Sequence, residues 1–368
     1  MGTPPRIAIV LPPGEGFAPG RAGAVALIVR RLARALPALV LGGLQSGQAF
    51  DDVPFRPVHP AFWWPGNMHA RYAAGVARAL LPIGPGLIEV HNRPDVALLL
   101  ARWFPHIPVM LFLHNDPQTM RHARTPRQRT RLLARLARVV TVSNYLRDRL
   151  LEGVTPPAGR SPAVLPNPID LAALPIAGAR EQLIIFAGRV VREKGADAFV
   201  AACATALPQL PGWQAAVIGA DRFRTDSPET SYTCEVRAAA AKAGVWMAGY
   251  REHPEVLTFL ARASIGVVPS RWPEPFGMAA LEAMASGTAL LCSARGGLPE
   301  VAGNSAIYVD PDDPAGMAQA MVTLARDPAR LRTLSEAGRS RARQFELPTI
   351  ATRLAAIRRE IIATGSHS

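Results

Sequence analysis

Cysteine, lysine and long apolar runs are all scarce in this chain, and each shortage excludes something. Three cysteines (Cys203, Cys234, Cys292) stand far apart with no CxxC spacing, which argues against a disulfide framework or a structural zinc site. No apolar run approaches the roughly 20 residues of a membrane-spanning helix. The opening MGTPPRIAIVLPPG holds one Arg, a short apolar run and then prolines, and does not read as a signal peptide. A reducing cytoplasm is therefore the expected compartment. There is no Walker sequence, zinc-finger spacing, basic zipper or aromatic-rich RNA-binding motif. What remains is globular in character: 49% hydrophobic residues and 19% charged ones, over a length of 368 that predicts two or three domains.

Acidic residues are also scarce, but only in one half. Residues 1–175 hold 20 Arg and 9 acids, a net of +11; residues 176–368 hold 21 Lys and Arg and 19 acids, a net of +2. A basic first half beside a near-neutral second half points to an anionic partner for the first. The densest run extends from Arg121 to Arg138, and its leucines at 132, 133 and 136 share one helical face. It reads as a basic amphipathic segment, suited to anionic lipid headgroups, a polyanionic acceptor or nucleic acid. A solvated arginine-rich face is the plain alternative. Charge alone favours nucleic acid, so none is expected as a partner.

Short apolar runs alternate with helical patterns throughout. Strands are expected at 6–11, 38–41, 87–91, 109–114 and 139–142, then at 183–187, 215–218, 245–248, 265–268 and 289–292. Helices lie between, as at 23–36, 196–206 and 255–263. Continuous apolar strands in strand–helix alternation imply parallel sheets covered on both faces. Between 156 and 180 the chain turns Pro-, Ala- and Gly-rich and reads as a linker. The fold class is α/β, with two doubly wound domains joined near 170–180. Ligands of such folds bind at the carboxyl ends of strands.

Three loops and two strand ends carry chemistry. In RWPEPFGMAALEAMASG a helix must begin near Gly277, because Pro275 disfavours helix at Glu274. No capping side chain precedes it, so its first amides suit a phosphate. The helix is apolar on every side except Glu282, a carboxylate that needs a partner such as ribose hydroxyls or a structural Arg. The loop FAGRVVREKGA places Lys194, one of only two lysines, near Arg189; the pair could neutralise a diphosphate or be two solvated surface cations. After the first strand, glycines 14, 16, 20 and 23 allow close backbone approach, though Pro19 breaks a dinucleotide fingerprint. The stretch LGGLQSGQ offers no acid for a ribose 2′-hydroxyl. Finally, His91 and His114 end successive strands, and neither has a partner His at metal-ligand spacing. No metal is expected.

Together these loops resemble glycosyltransferase family 4, the retaining enzymes of the GT-B fold. The resemblance rests on the Glu274-x7-Glu282 pair in EPFGMAALEAMASG, on LPNPID, FAGRVVREKG, TVSNYLRDRL and GGLPEVAG. It implies two doubly wound Rossmann-like domains facing a central cleft. The first, 1–172, would be the acceptor side, with a C-terminal helix at 347–368 crossing back; the second, 173–346, would bind the nucleotide sugar. Arg189 and Lys194 would hold the donor diphosphate, Glu282 the ribose and Glu274 the sugar hydroxyls. Backbone amides of Phe276, Gly277 and Met278 would meet the distal phosphate or sugar. Gly249, Tyr250 and Arg251 would frame the base, His114 would lie beside the sugar ring, and Gly23 near the phosphate. His91, Gly20 and Arg21 would stand on the acceptor side.

The implied reaction is hexosyl transfer, with retention, from a nucleotide-diphosphate sugar to a cell-envelope glycan or lipid-linked acceptor. A UDP-sugar is favoured on base rates, with GDP-mannose the second choice. No cofactor is expected beyond this substrate, and the basic segment would bring the protein to the inner face of an anionic membrane. HNRP and HNDP look like pieces of bacterial envelope and lipopolysaccharide transferases. The alternative is a noncatalytic nucleotide-binding scaffold of the same fold. Asn115 separates His114 from Asp116, so Asp116 departs from the family pattern.

Overall fold

The computed structural model describes residues 7–43, 47–176, 178–222 and 229–365. Arg6 of the first expected strand, residues 44–46 of LGGLQSGQ, Ala177 of the expected linker and 366–368 of the last expected helix lie outside the described residues. The chain divides into two compact units: Met1–Pro168 with Leu347–Ser368, and Ile169–Glu346.

The first unit begins with β1 (Ile7–Val10), α1 (Ala24–Ala35), β2 (Leu39–Gly43) and β3 (Phe55–Val58). Then come α2 (Met68–Leu80), β4 (Leu87–His91), α3 (Pro94–Trp103) and β5 (Val109–Leu113). Helix α4 (Pro126–Arg135), β6 (Arg138–Thr141), α5 (Asn144–Leu151) and β7 (Ala163–Val164) follow. The second unit opens with β8 (Glu181–Ala187), α6 (Ala196–Ala206), β9 (Gln214–Ile218), α7 (Ser231–Ala243) and β10 (Val245–Gly249). It continues through α8 (His253–Arg262), β11 (Ala263–Val268), α9 (Met278–Ala285), β12 (Ala289–Cys292), α10 (Leu298–Ala302) and β13 (Ala306–Tyr308). Helices α11 (Pro314–Ala325) and α12 (Pro328–Ala342) complete it, and α13 (Leu347–Gly365) returns to the first unit.

The first sheet runs β3-β2-β1-β4-β5-β6-β7 and the second β10-β9-β8-β11-β12-β13. Every pairing in both is parallel. Strand order reverses between β1 and β4 and again between β8 and β11. Loops leaving those neighbours diverge, which opens a crevice at the carboxyl edge of each sheet. Central strands β1, β4 and β5 are buried at every position, as strands covered on both faces must be. In the first unit α2, α3 and α4 pack one face of the sheet, while α1 and α13 pack the other.

All ten expected strands overlap observed ones. Three strands are additional, β3, β7 and β13, and each lies at a sheet edge. Their sequences lack the apolar runs of central strands: β3 reads FRPV, and its proline is tolerated because an edge strand need not donate on both sides. Strand β7 falls inside 156–180, so that stretch is not only a linker; part of it extends the first sheet. The cysteines are free, with Cys203 and Cys292 buried and Cys234 exposed. Among the described residues no helix is long and apolar enough to cross a membrane.

Candidate functional site

In the second unit the crevice is built by the β8–α6 and β11–α9 loops. Lys194 ends a 3-10 turn, Arg192–Lys194, that halts at Gly195 with φ +73. A side chain at Gly195 would collide with the Pro269 carbonyl, so only glycine lets the two loops touch. Backbone bonds then fasten them: the Glu193 carbonyl accepts from the amides of Arg271 (2.9 Å) and Trp272 (3.0 Å). This brings Lys194 Nζ to 2.5 Å from Glu274 Oε1. Ser270 Oγ donates to the same oxygen at 2.6 Å. Glu274 is buried while Lys194 keeps 27% of its side chain exposed. Lys194 is therefore an anchored cation with a face to solvent, and the reading of a loose surface charge is corrected.

Glu274 is also held through its backbone. Gly296, at φ +66, lies so close that a Cβ would strike the Glu274 backbone, and the Gly297 amide donates to the Glu274 carbonyl at 2.6 Å. This contact gives the GGLPEVAG stretch its structural reason. Helix α9 starts where the proline argument put it, at Met278 after Gly277 with φ +109, and no side chain caps it. Phe276 is buried and meets Phe345 edge-on at 5.7 Å. The first amides of α9, uncapped by any side chain, are the kind of helix start that suits an anion.

Glu282 lies one turn into α9, and a histidine stands beside it. His253 Nε2 stands 2.8 Å from Glu282 Oε1. Sequence spacing gives no sign of this, since His253 opens α8. At the carboxyl edge three glycines line up: the Gly188 amide donates to the Ile218 carbonyl and the Gly219 amide to Gly249. Gly219, at φ +144, would strike the Gly188 carbonyl if it carried a Cβ; the sequence reading missed it. Gly249, at φ +71, ends β10, and the half-buried Arg251 folds back to donate to the Tyr250 carbonyl at 3.0 Å. Arg189 is half-buried in the same β8–α6 loop.

In the first unit the strand ends carry a histidine pair. His91 Nδ1 and His114 Nε2 are 2.9 Å apart, and the near-parallel rings of His91, Phe112 and His114 cluster with centroids 4.8, 5.1 and 6.1 Å from one another. Both are buried, His91 at 1% exposure. Burial pushes the His114 imidazole down to about 4, opposed weakly by nearby Asn167. Burial, then the charges of His114 and Arg358, hold His91 well below the ordinary imidazole value. Both rings are neutral at pH 7, joined by one shared proton. Asn92 pins the pair: at φ +53, it accepts from the His114 amide through Oδ1 at 2.7 Å.

Gly20 and Arg21 are exposed in the β1–α1 loop. Gly23 is the N-cap residue of α1, and it leaves room for a side chain the sequence reading overlooked. Glu15 Oε1 accepts from the Ala26 amide at 3.2 Å, and a Cβ on Gly23 would stand 2.5 Å from that oxygen. Burial raises the Glu15 carboxyl above its ordinary range, against Ala26, Arg93 and Gly23. The carboxylate thus occupies a helix N-terminus, the position that favours an anion. Asp116 is taken up elsewhere, bonded to Arg149 at 2.9 Å and capping the turn at Pro117–Thr119.

Two family models match the chain in tandem. One, described as Glycosyltransferase Family 4, covers residues 24–173. The other, Glycosyl transferases group 1, covers 176–341. The chain belongs to glycosyltransferase family 4. Among curated relatives of this family-4 chain, a glycogen synthase of Mycobacterium tuberculosis is 31% identical over 230 residues, 60% of this chain and 53% of its own length. A lipopolysaccharide core biosynthesis mannosyltransferase of Rhizobium meliloti is 32% identical over 179 residues, 46% and 49% of the two chains. The matches thus span about half the length of these relatives. Among solved structures, the sucrose-phosphate synthase of Thermosynechococcus elongatus superposes with a TM-score of 0.78 at 20% identity, covering 98% of this chain and 100% of the other. Anabaena HepE, solved with UDP-glucose, gives 0.75 at 19% identity, covering 95% and 98%. The family-4 chain has the GT-B fold, two doubly wound α/β units.

Proposed function

We propose that this family-4 member is a retaining glycosyltransferase that moves a hexosyl unit from a nucleotide-diphosphate sugar to a cell-envelope glycan or lipid-linked acceptor. UDP-sugars are the favoured donors and GDP-mannose the second choice. UDP-glucose in a structural neighbour and a mannosyltransferase among the relatives support both. The observation that carries the reading is the Lys194–Glu274–Ser270 cluster beside the uncapped start of α9.

In this account the second unit takes the donor and the first is the acceptor side. Lys194, Arg189 and the amides of Phe276, Gly277 and Met278 neutralise the leaving diphosphate. Charge grows on that group as the bond to the anomeric carbon breaks, so fixed donors favour the transition state over the ground state. Glu274, fixed by Lys194 and Ser270, keeps a second carboxylate oxygen for donor-sugar hydroxyls. Glu282 accepts from the ribose, and His253 orients it. Gly249, Tyr250 and Arg251 frame the base. His114, neutral at working pH, offers the sugar a hydrogen bond and no proton. The diphosphate departs from an oxocarbenium-like sugar, the acceptor hydroxyl oxygen bonds the anomeric carbon on the face the diphosphate left, and the hydroxyl proton passes to the departing phosphate oxygen.

Release of nucleoside diphosphate from UDP-glucose and GDP-mannose tests the reading. Charge-assisted bonds are worth about 1.5–3 kcal/mol, so Lys194→Ala should slow turnover by roughly 10–200-fold. A loss under about twofold would remove Lys194 from the site.

A further inference from the structure

Three neighbouring helices on one face of the first unit are almost without acids, whereas α5 beside them carries the exposed Asp148, paired with Arg147. Helices α2, α3 and α4 carry seven arginines (71, 78, 102, 127, 129, 131 and 135) and a single acidic residue, Asp95. Asp95 is buried and bonded to His69 at 2.6 Å, so these helices present no exposed carboxylate. Within α4 the arginines divide by function. Arg129 turns inward and is buried, donating to the carbonyls of Ala123, Arg124, Leu150 and Glu152. Arg127, Arg131 and Arg135, four residues apart, form one exposed stripe opposite the buried Leu132 and Leu133. Arg124 extends the exposed stripe beyond the capping Thr125. Among the described residues none of these four meets a carboxylate. The other face of the sheet behaves differently: Arg30 and Arg34 on α1 both pair with Asp52.

The same layer carries an apolar edge. The loop leading into α2 exposes Phe62 at 65% and Trp63 at 68%. Trp64 beside them packs edge-on against Trp103 of α3 at 5.4 Å, which ties the loop to the layer. An unpaired cationic stripe together with exposed aromatics is the composition of a bilayer-interface surface: arginines meet anionic headgroups, and aromatic rings settle at headgroup depth.

We infer that the α2–α3–α4 face of the first unit docks on an anionic lipid bilayer, with Arg124, Arg127, Arg131 and Arg135 on headgroups and Phe62 and Trp63 entering the interface. The inference deepens the proposed transferase reading, because a lipid-linked acceptor would be met on that surface. It stands on charge and exposure, independently of donor chemistry.

Vesicle flotation of the full chain tests it, comparing phosphatidylcholine alone with phosphatidylcholine containing about one-third phosphatidylglycerol. Binding is expected only to the anionic vesicles and should weaken with salt. Arg127→Gln/Arg131→Gln/Arg135→Gln should lower vesicle affinity on the order of 100-fold. Phe62→Ser/Trp63→Ser should lower it while leaving the salt dependence in place. Arg30→Gln/Arg34→Gln, on the opposite face, should bind as the parent does. Equal binding to both vesicles, a triple variant that floats like the parent, or retention by heparin without flotation would each overturn the inference. Nucleotide-induced thermal stabilisation of the same variants reports donor binding separately, so failure here leaves the donor reading intact, and the reverse holds.

Discussion

Single residues decide how much charge the strand-end loops can hold. Lys194 and Glu274 neutralise each other at 2.5 Å, and each keeps capacity for a ligand: the ammonium has further protons and the carboxylate a second oxygen. Glu15 is the opposite case, an acid at a helix N-terminus whose burial outweighs the favourable helix field. Its folded carboxyl binds a proton more readily than the unfolded one. Stability is therefore lost as pH rises through and above the ordinary carboxylate range. Glu15→Gln keeps an acceptor for the Ala26 amide without the buried charge. The variant should melt higher than the parent at neutral pH, and the gap should close by about pH 4. A lower melting temperature for Glu15→Gln at neutral pH would mean that the helix field outweighs burial.

At the scale of elements, a buried ion pair ties β4 to α13. Arg358 bonds both oxygens of Glu89, at 2.6 and 2.9 Å, and both residues are buried. Arg358→Met would strand a carboxylate in the core and should cost about 3–5 kcal/mol in denaturant unfolding. Adding Glu89→Leu should recover most of that, because removing the pair leaves no orphan charge. Recovery by the single variant alone would show that water reaches Glu89. The glutamate interrupts the apolar run of LIEV, and nothing in its neighbourhood names a partner 269 residues away. Central strands are legible because burial on both faces demands continuous apolar runs. Edge strands such as FRPV carry no such demand, and pattern reading passes over them. Helix α9 is legible to the residue, because Pro275 and Gly277 fix its start and Gly287 follows its end.

The whole molecule repeats one device twice: a parallel sheet whose strand order reverses near its middle, with the chemistry-bearing loops at that reversal. Strand–helix alternation makes the repetition readable from sequence, and the motifs locate the Lys194 and Glu274 loops. What the sequence withholds is side-chain partnership across distant segments: His253 with Glu282, His91 with His114, Glu15 with the start of α1. Each is set by loop packing that no local period encodes. The central claim is that the second unit binds a nucleoside diphosphate and its sugar. Thermal unfolding with matched concentrations of UDP, GDP, ADP and NAD tests it most directly. A bound nucleotide at about 100 times its Kd stabilises the folded chain by about 2.7 kcal/mol. UDP or GDP should stabilise the chain, with the effect diminished in Glu282→Ala without loss of that variant's own fold. No shift with either nucleotide in a well-folded sample would contradict it and favour a noncatalytic scaffold.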